Sequence, residues 1–144
     1  MSTPEPRGRS ARRKARKRAL DVLFESDLRG TDVLATADER LVAPDAEGPD
    51  YARVLVEGVT ERRDRINELL ATYSEGWTLD RMPAVDRNLL RIAVYELLWR
   101  DDVPDVVAID EAVELAKELS TDESPRFING LLGRLQLLKE ELSF

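Results

Sequence analysis

Apolar residues along this chain recur at three- and four-residue intervals and nowhere alternate over a strand length, which predicts helices and no sheet. Ser10 is placed to cap a first helix, in which Ala15, Ala19, Val22, Leu23 and Ser26 share one side to about Leu28. Gly30 ends it. Residues 30–50 carry two glycines and two prolines, with room for a short helix from Asp32 to Val42. A long helix is predicted from Asp50 to Tyr73, striped by Leu55, Val59, Ile66, Leu69, Leu70 and Tyr73.

Ser74-Glu75-Gly76 breaks the pattern ahead of Trp77 and Leu79, and Pro83 then suits the first turn of a new helix reaching about Arg100. That segment is apolar nearly all round its axis, from Val85 to Trp99, and should be the central buried helix. Val103-Pro104 separates it from a helix capped by Asp105 and running to Leu119, with Ala108, Ile109, Ala112, Val113 and Ala116 inward. Ser124 caps the last helix and Pro125 fills its first position; Phe127, Ile128, Leu131, Leu132, Leu135 and Leu138 form its buried stripe to about Leu142. Six or seven helices result. They make an all-α bundle over residues 10–144, a single domain behind a disordered basic tail at residues 1–9.

Composition narrows the chemistry. The 144 residues include no cysteine and no histidine, which removes disulfides, thiolate metal sites, cysteine nucleophiles and the commonest general base. An enzyme is therefore not expected, nor a metal or cofactor. No apolar run approaches the roughly 18 residues of a membrane span, so no membrane association and a cytoplasmic location are expected.

The net charge of −7 conceals a polarity. Eight basic residues lie between Arg7 and Arg18 with no acid among them. The body from Ala19 onward keeps 14 of the 22 basic residues against 28 of the 29 acidic ones. On a helix, Arg12, Arg13, Arg16 and Lys17 are three or four residues apart and so gather on one surface, where guanidinium groups can grip phosphate. Charge alone leaves three readings open: a nucleic-acid face, a solvated basic helix start, or a patch for anionic membrane.

Other candidates are weaker. The acids Asp101-Asp102, Asp110-Glu111-Glu114 and Asp122-Glu123 have neither histidine nor a calcium-loop glycine beside them and read as solvated faces. Tyr73 and Phe127 can stack on an exposed base, although aromatics at helical spacing also serve as core.

The stretch from Ala84 to Leu98 (AVDRNLLRIAVYELL) resembles the NusB family of bacterial transcription antitermination factors. So do Asp102-Val-Pro104, the run from Ala108 to Lys117 (AIDEAVELAK) and the run from Arg126 to Gly130 (RFING). The opening run from Ala11 to Leu20 (ARRKARKRAL) and Leu55-Val-Glu-Gly-Val59 are similar to the same family. The resemblance implies an all-helical, NusB-like bundle of about seven helices in two small subdomains. It implies a non-enzymatic role: binding the single-stranded boxA element of ribosomal RNA leaders together with NusE, a small-subunit ribosomal protein. NusA, NusG and RNA polymerase complete the antitermination complex that it implies. Carried onto this chain, the RNA contacts are Arg12, Arg13, Lys14 and Arg16, with Tyr73, Glu123, Arg126 and Phe127 along the RNA path. Asp86 and Phe24 fall on the NusE-contacting surface. Homodimers occur among such proteins, and the sequence leaves open whether this chain forms one. Two alternatives stand beside this reading: an RNA-targeting module related to ribosomal-RNA methyltransferases, and a helical protein–protein scaffold.

Overall fold

In the computed structural model, residues 5–41 and 50–144 are described, with side chains from Ala11 onward. Among these residues there are seven α-helices and no strand: α1 (Glu5–Arg29), α2 (Val33–Arg40), α3 (Tyr51–Glu61), α4 (Arg63–Tyr73), α5 (Ala84–Trp99), α6 (Asp105–Leu119) and α7 (Ser124–Leu138). A single 3-10 turn, Lys139–Glu141, follows.

α1 begins at Glu5, ahead of the Ser10 start read from the sequence. Pro6 falls in the first turn, where the helix has no use for the hydrogen bond proline lacks. The helical part of the expected tail is thus Glu5 to Arg9, while residues 1–4 lie outside the described residues, as do the prolines and glycine of residues 42–49. Gly30 adopts φ 66°, the left-handed conformation that stops α1 at little steric cost. Asp32 caps α2 by accepting a 2.9 Å hydrogen bond from the Ala35 amide.

The long helix expected from Asp50 to Tyr73 is two helices. Arg62, at φ −102° and ψ 11°, leaves helical geometry between α3 and α4. The Thr60 hydroxyl donates to the Val56 carbonyl at 2.7 Å, a back-bond of the kind that bends helices. The Arg62 guanidinium lies 5.3 Å from the centre of the Trp99 ring. At the start of α7, Ser124 is the first helical residue rather than the cap, and its hydroxyl instead accepts from the Thr121 amide at 3.2 Å.

Two small groups of helices share one core. α1 packs on α2, α3 and α5; α6 pairs with α7; α5 touches both groups and α4 closes against α5 and α7. The buried cluster runs unbroken from Ala15 to Leu135. As the all-round apolar pattern predicts, α5 is the central element, with eleven of its sixteen residues buried. Its crossing with α3 is close: a Cβ at Gly58 would sit inside the Tyr95 ring, so glycine is required there for contact.

Candidate nucleic-acid interface

The basic run of α1 is placed as the helical spacing predicts, but its side chains do not share one fate. Lys14 is exposed, and no ion pair to it is found among the described residues. Arg12 is 37% exposed and pairs with Asp102, itself 47% exposed, at 2.8 Å. Its guanidinium also lies 4.2 Å from the centre of the Tyr51 ring. Arg13 reaches across to Glu111 with a two-pronged pair at 3.0 and 2.5 Å. Lys17 pairs with Glu118 at 2.5 Å and Arg18 with Asp50 at 3.1 Å.

Arg16 departs from the expected surface. It is 3% exposed, and its guanidinium is clamped on Glu96 by hydrogen bonds of 2.9 Å from both Nε and Nη2, while Nη1 reaches Glu111 at 3.3 Å. The Tyr51 hydroxyl donates to the same Glu96 carboxylate at 2.5 Å. Burial opposes charge on Arg16, but the Glu96 hydrogen bonds and charge outweigh it and raise its pKa. The expected RNA contact is thus an internal one. Its physical reason is register: Arg16 precedes Ala19, Leu20 and Leu23 by three, four and seven residues and so points where they point.

Magnitudes separate these pairs. Exposed ion pairs are worth about 0–1 kcal/mol and can be exchanged for a phosphate, whereas breaking a buried pair costs about 3–5 kcal/mol. Arg12 and Lys17 are therefore exchangeable cations, Lys14 is immediately accessible, Arg13 is held to the buried Glu111 while one side of it stays open, and Arg16 is fixed.

A second surface lies at the start of α7. Glu123, Arg126 and Phe127 line a cleft of about 850 Å³ together with Glu75, Trp77 and Arg134. Glu123 and Arg126 are exposed; Phe127 is half-buried and meets the Trp77 ring edge-on at 4.7 Å and 66°. Tyr73, the last residue of α4, is half-buried against the core beside this cleft, and its carbonyl accepts from Arg134 Nε at 3.1 Å. Pro125 sits within the first turn of α7 and leaves Arg126 and Phe127 helical. Sequence reasoning missed Trp77 and Arg134. The available signal was a tryptophan set immediately after a glycine turn, among polar loop residues.

The two surfaces are connected through α6. Arg13 and Lys17 of α1 reach Glu111 and Glu118 of α6 through their long side chains. The loop after α6 then supplies Asp122 and Glu123 to the cleft.

The expected partner surface divides. Phe24 is half-buried and does not pack on the core cluster, which leaves it available. Asp86 is fully buried in the first turn of α5, in register with Leu89, Leu90 and Ala93. One of its oxygens accepts from the Ser120 hydroxyl at 2.5 Å and the other has no hydrogen-bond partner among the described residues. Asp86 thus organises the loop between α6 and α7 instead of presenting a charge to a partner. Beside it, Asp27 gathers Arg87, Asn88 and Arg91 at 2.9, 2.9 and 3.2 Å. Burial alone would raise the Asp27 carboxyl, but hydrogen bonds from Arg87 and Asn88 and the Arg91 charge hold it below the usual carboxylate range. Among the described residues, no group of three or more acidic side chains is arranged to hold a metal ion, and no helix is long and apolar enough to cross a membrane.

Comparison with known proteins gives one family. The NusB family profile matches residues 13–137. A transcription antitermination protein NusB of Salinispora tropica is 67% identical over 128 residues, covering 87% of this chain and 94% of that protein. The solved NusB of T. maritima is 35% identical, with a TM-score of 0.78 and coverage of 99% of this chain and 100% of that one. A structure of the antitermination factors NusB and NusE in complex with dsRNA is 26% identical, with a TM-score of 0.77, covering 89% of this chain and 97% of that one.

Proposed function

The chain belongs to the NusB family of transcription antitermination proteins, and from that membership we propose that it binds the single-stranded boxA element of ribosomal RNA leader transcripts jointly with NusE. The observation that carries this reading is the cationic segment Arg12–Arg13–Lys14 on α1, exposed at Lys14 and partly exposed at the two arginines, in a chain alike to a NusB solved with NusE and RNA. Lys14 makes the first phosphate contact, Arg12 exchanges its carboxylate for phosphate as the strand settles, and Arg13 meets the strand from its open side while it stays paired with the buried Glu111. Arg126 adds a cation at the cleft. Glu123 can only accept hydrogen bonds, so on an RNA path it meets base amino groups and not phosphates. Phe127 and Tyr73 supply aromatic surface.

Phe24 and its surroundings on α1 form the NusE surface in this reading, with Asp86 behind it as a support. Assembly with NusA, NusG and RNA polymerase follows from the same role and places the protein on nascent transcripts in the cytoplasm. A homodimer that covered α1 would compete with RNA. Nothing observed favours a methyltransferase-associated module or a scaffold with an incidental basic end.

The test is a mobility-shift titration with boxA RNA and a scrambled control, with and without NusE, repeated across salt concentrations. Four phosphate contacts predict that log K falls with log salt at a slope near −3, at about −0.7 per contact on a single strand. Lys14→Glu should lower the slope and the affinity together. A flat salt response, or equal binding of both RNAs with NusE present, would overturn the reading.

A further inference from the structure

A buried carboxylate ordinarily finds a donor for each oxygen, because an acceptor out of reach of water loses what solvent would supply. Asp86 departs from this. It is fully buried in the first turn of α5; the Ser120 hydroxyl donates to one oxygen at 2.5 Å, and the other has no donor among the described residues. Donors stand close by. The Ser124 hydroxyl donates to that of Ser120 at 3.0 Å, and the Thr121 and Ser124 hydroxyls are 2.7 Å apart. Each hydroxyl has one proton to give, so the chain runs from Thr121 through Ser124 and Ser120 to Asp86 and leaves the second oxygen open.

Such a set has a second arrangement. If the loop between α6 and α7 advances so that Ser124 or Thr121 donates to the open oxygen, a hydroxyl–hydroxyl bond is exchanged for a bond to a carboxylate, the stronger kind. Close packing makes the two positions discrete. Ser124 is the first residue of α7, and the Phe127 amide donates to the Glu123 carbonyl at 3.1 Å, so a shift here reaches the turn that bears Arg126 and Phe127.

The other side of the same helical turn holds α1. Arg87 donates to Asp27 at 2.9 Å and to the Leu79 carbonyl at 3.0 Å, and Asn88 donates to Asp27 at 2.9 Å. Asp27 is three residues beyond Phe24 and so lies on the same side of α1. The first turn of α5 is therefore a joint between the Phe24 face and the loop that begins α7.

We propose that Asp86 and the hydroxyls of Ser120, Thr121 and Ser124 form a two-position latch, through which a protein docked on the Phe24–Asp27 face of α1 resets the first turn of α7. The proposal rests on the partner-binding reading above and adds an internal link between the two surfaces, separate from any contact a partner makes with RNA. A partner shifts the latch only by favouring one position over the other. Asp27, whose Oδ2 gathers Arg87, Asn88 and Arg91, is where that preference enters.

Amide hydrogen exchange with NusE at saturation, and with no RNA present, reads the latch alone. In the wild-type chain NusE should slow exchange at residues 20–30, where it docks. It should also slow exchange at residues 121–128 by about fivefold or more, the lower end of typical coupling between sites. Ser120→Ala breaks the chain of hydroxyls and should lose the slowing at 121–128 while keeping that at 20–30. Ser120→Thr retains a hydroxyl and should retain both. Circular dichroism and the unfolding midpoint establish that each variant is folded. Unchanged exchange at 121–128 in the wild type, or the same slowing there in Ser120→Ala, would overturn the latch while leaving partner docking intact. Absence of protection at residues 20–30 in the wild type would remove the partner surface and the latch together.

Discussion

Replacing Arg16 by methionine would leave Glu96 and Glu111, each with a side chain 1% exposed, without the guanidinium that bridges them. Arg13 still covers Glu111 from the solvent side, and Tyr51 still donates to Glu96. Neither replaces a buried cation. The expected loss is about 3–5 kcal/mol of unfolding free energy, as when one partner of a buried ion pair is removed. Removing the Glu96 charge as well, in Arg16→Met with Glu96→Met, should return most of that loss. Urea unfolding of both variants measures it; a double variant as unstable as the single one would show that the ion pair itself does not set the cost. This pair was legible in the sequence from apolar register. Arg16 sits on the side of Ala19 and Leu23, Glu96 is flanked by Ile92 and Ala93, and Glu111 by Ala108 and Leu115. One inward cation and two inward acids match each other, whereas counting charges along α1 treats all its arginines alike. Asp86, which the resemblance put on the partner surface, follows the same register logic: it shares a side with Leu89, Leu90 and Ala93 and is buried.

At the scale of elements, α1 is a cationic helix partly neutralised by α6 and its neighbours. Asp102 is held below the usual carboxylate range mainly by its hydrogen bond from Arg12, with Arg100 contributing. Because both partners are substantially exposed, the pair adds little to stability yet must open before Arg12 can take a phosphate. Asp102→Asn should therefore raise RNA affinity by about 3- to 10-fold while changing unfolding free energy by less than about 1 kcal/mol. Fluorescence anisotropy with boxA RNA reads the first, and urea unfolding reads the second. Unchanged affinity would mean that the ion pair persists in the complex or that Arg12 takes no part. Helix positions were legible because apolar periodicity and the breaks at Gly30, Gly76 and Pro104 are local signals. The division between α3 and α4 was not, because residues 60–63 carry no glycine or proline to mark it.

At the scale of the whole molecule, the separation of a basic end from an acidic body is real in sequence and reduced by folding. Asp50, Glu96, Asp102, Glu111 and Glu118 all turn back onto α1. The consequence is a specific dependence on pH. With no histidine, no side chain has its ordinary pKa between pH 5 and 8. The depressed carboxyls lie on the acid side. Asp102 and Asp27 are held below their unfolded value, so each contributes stability that is present above about pH 4 and is lost as pH falls through its folded pKa. Asp21 has the opposite sign: burial raises it against the pull of Lys17, so protonation partly relieves a cost. Glu25 and Asp80 are depressed as well, so four depressed carboxyls stand against one raised, and the unfolding free energy should be level from pH 6 to 8 and decline below about pH 4. RNA affinity should be equally level from pH 6 to 8 while falling steeply with salt, since the phosphate contacts come from arginine and lysine alone. Anisotropy titrations at constant ionic strength across that range check this, and a change of more than about threefold would reveal a titrating group in the bound state that the free fold does not contain.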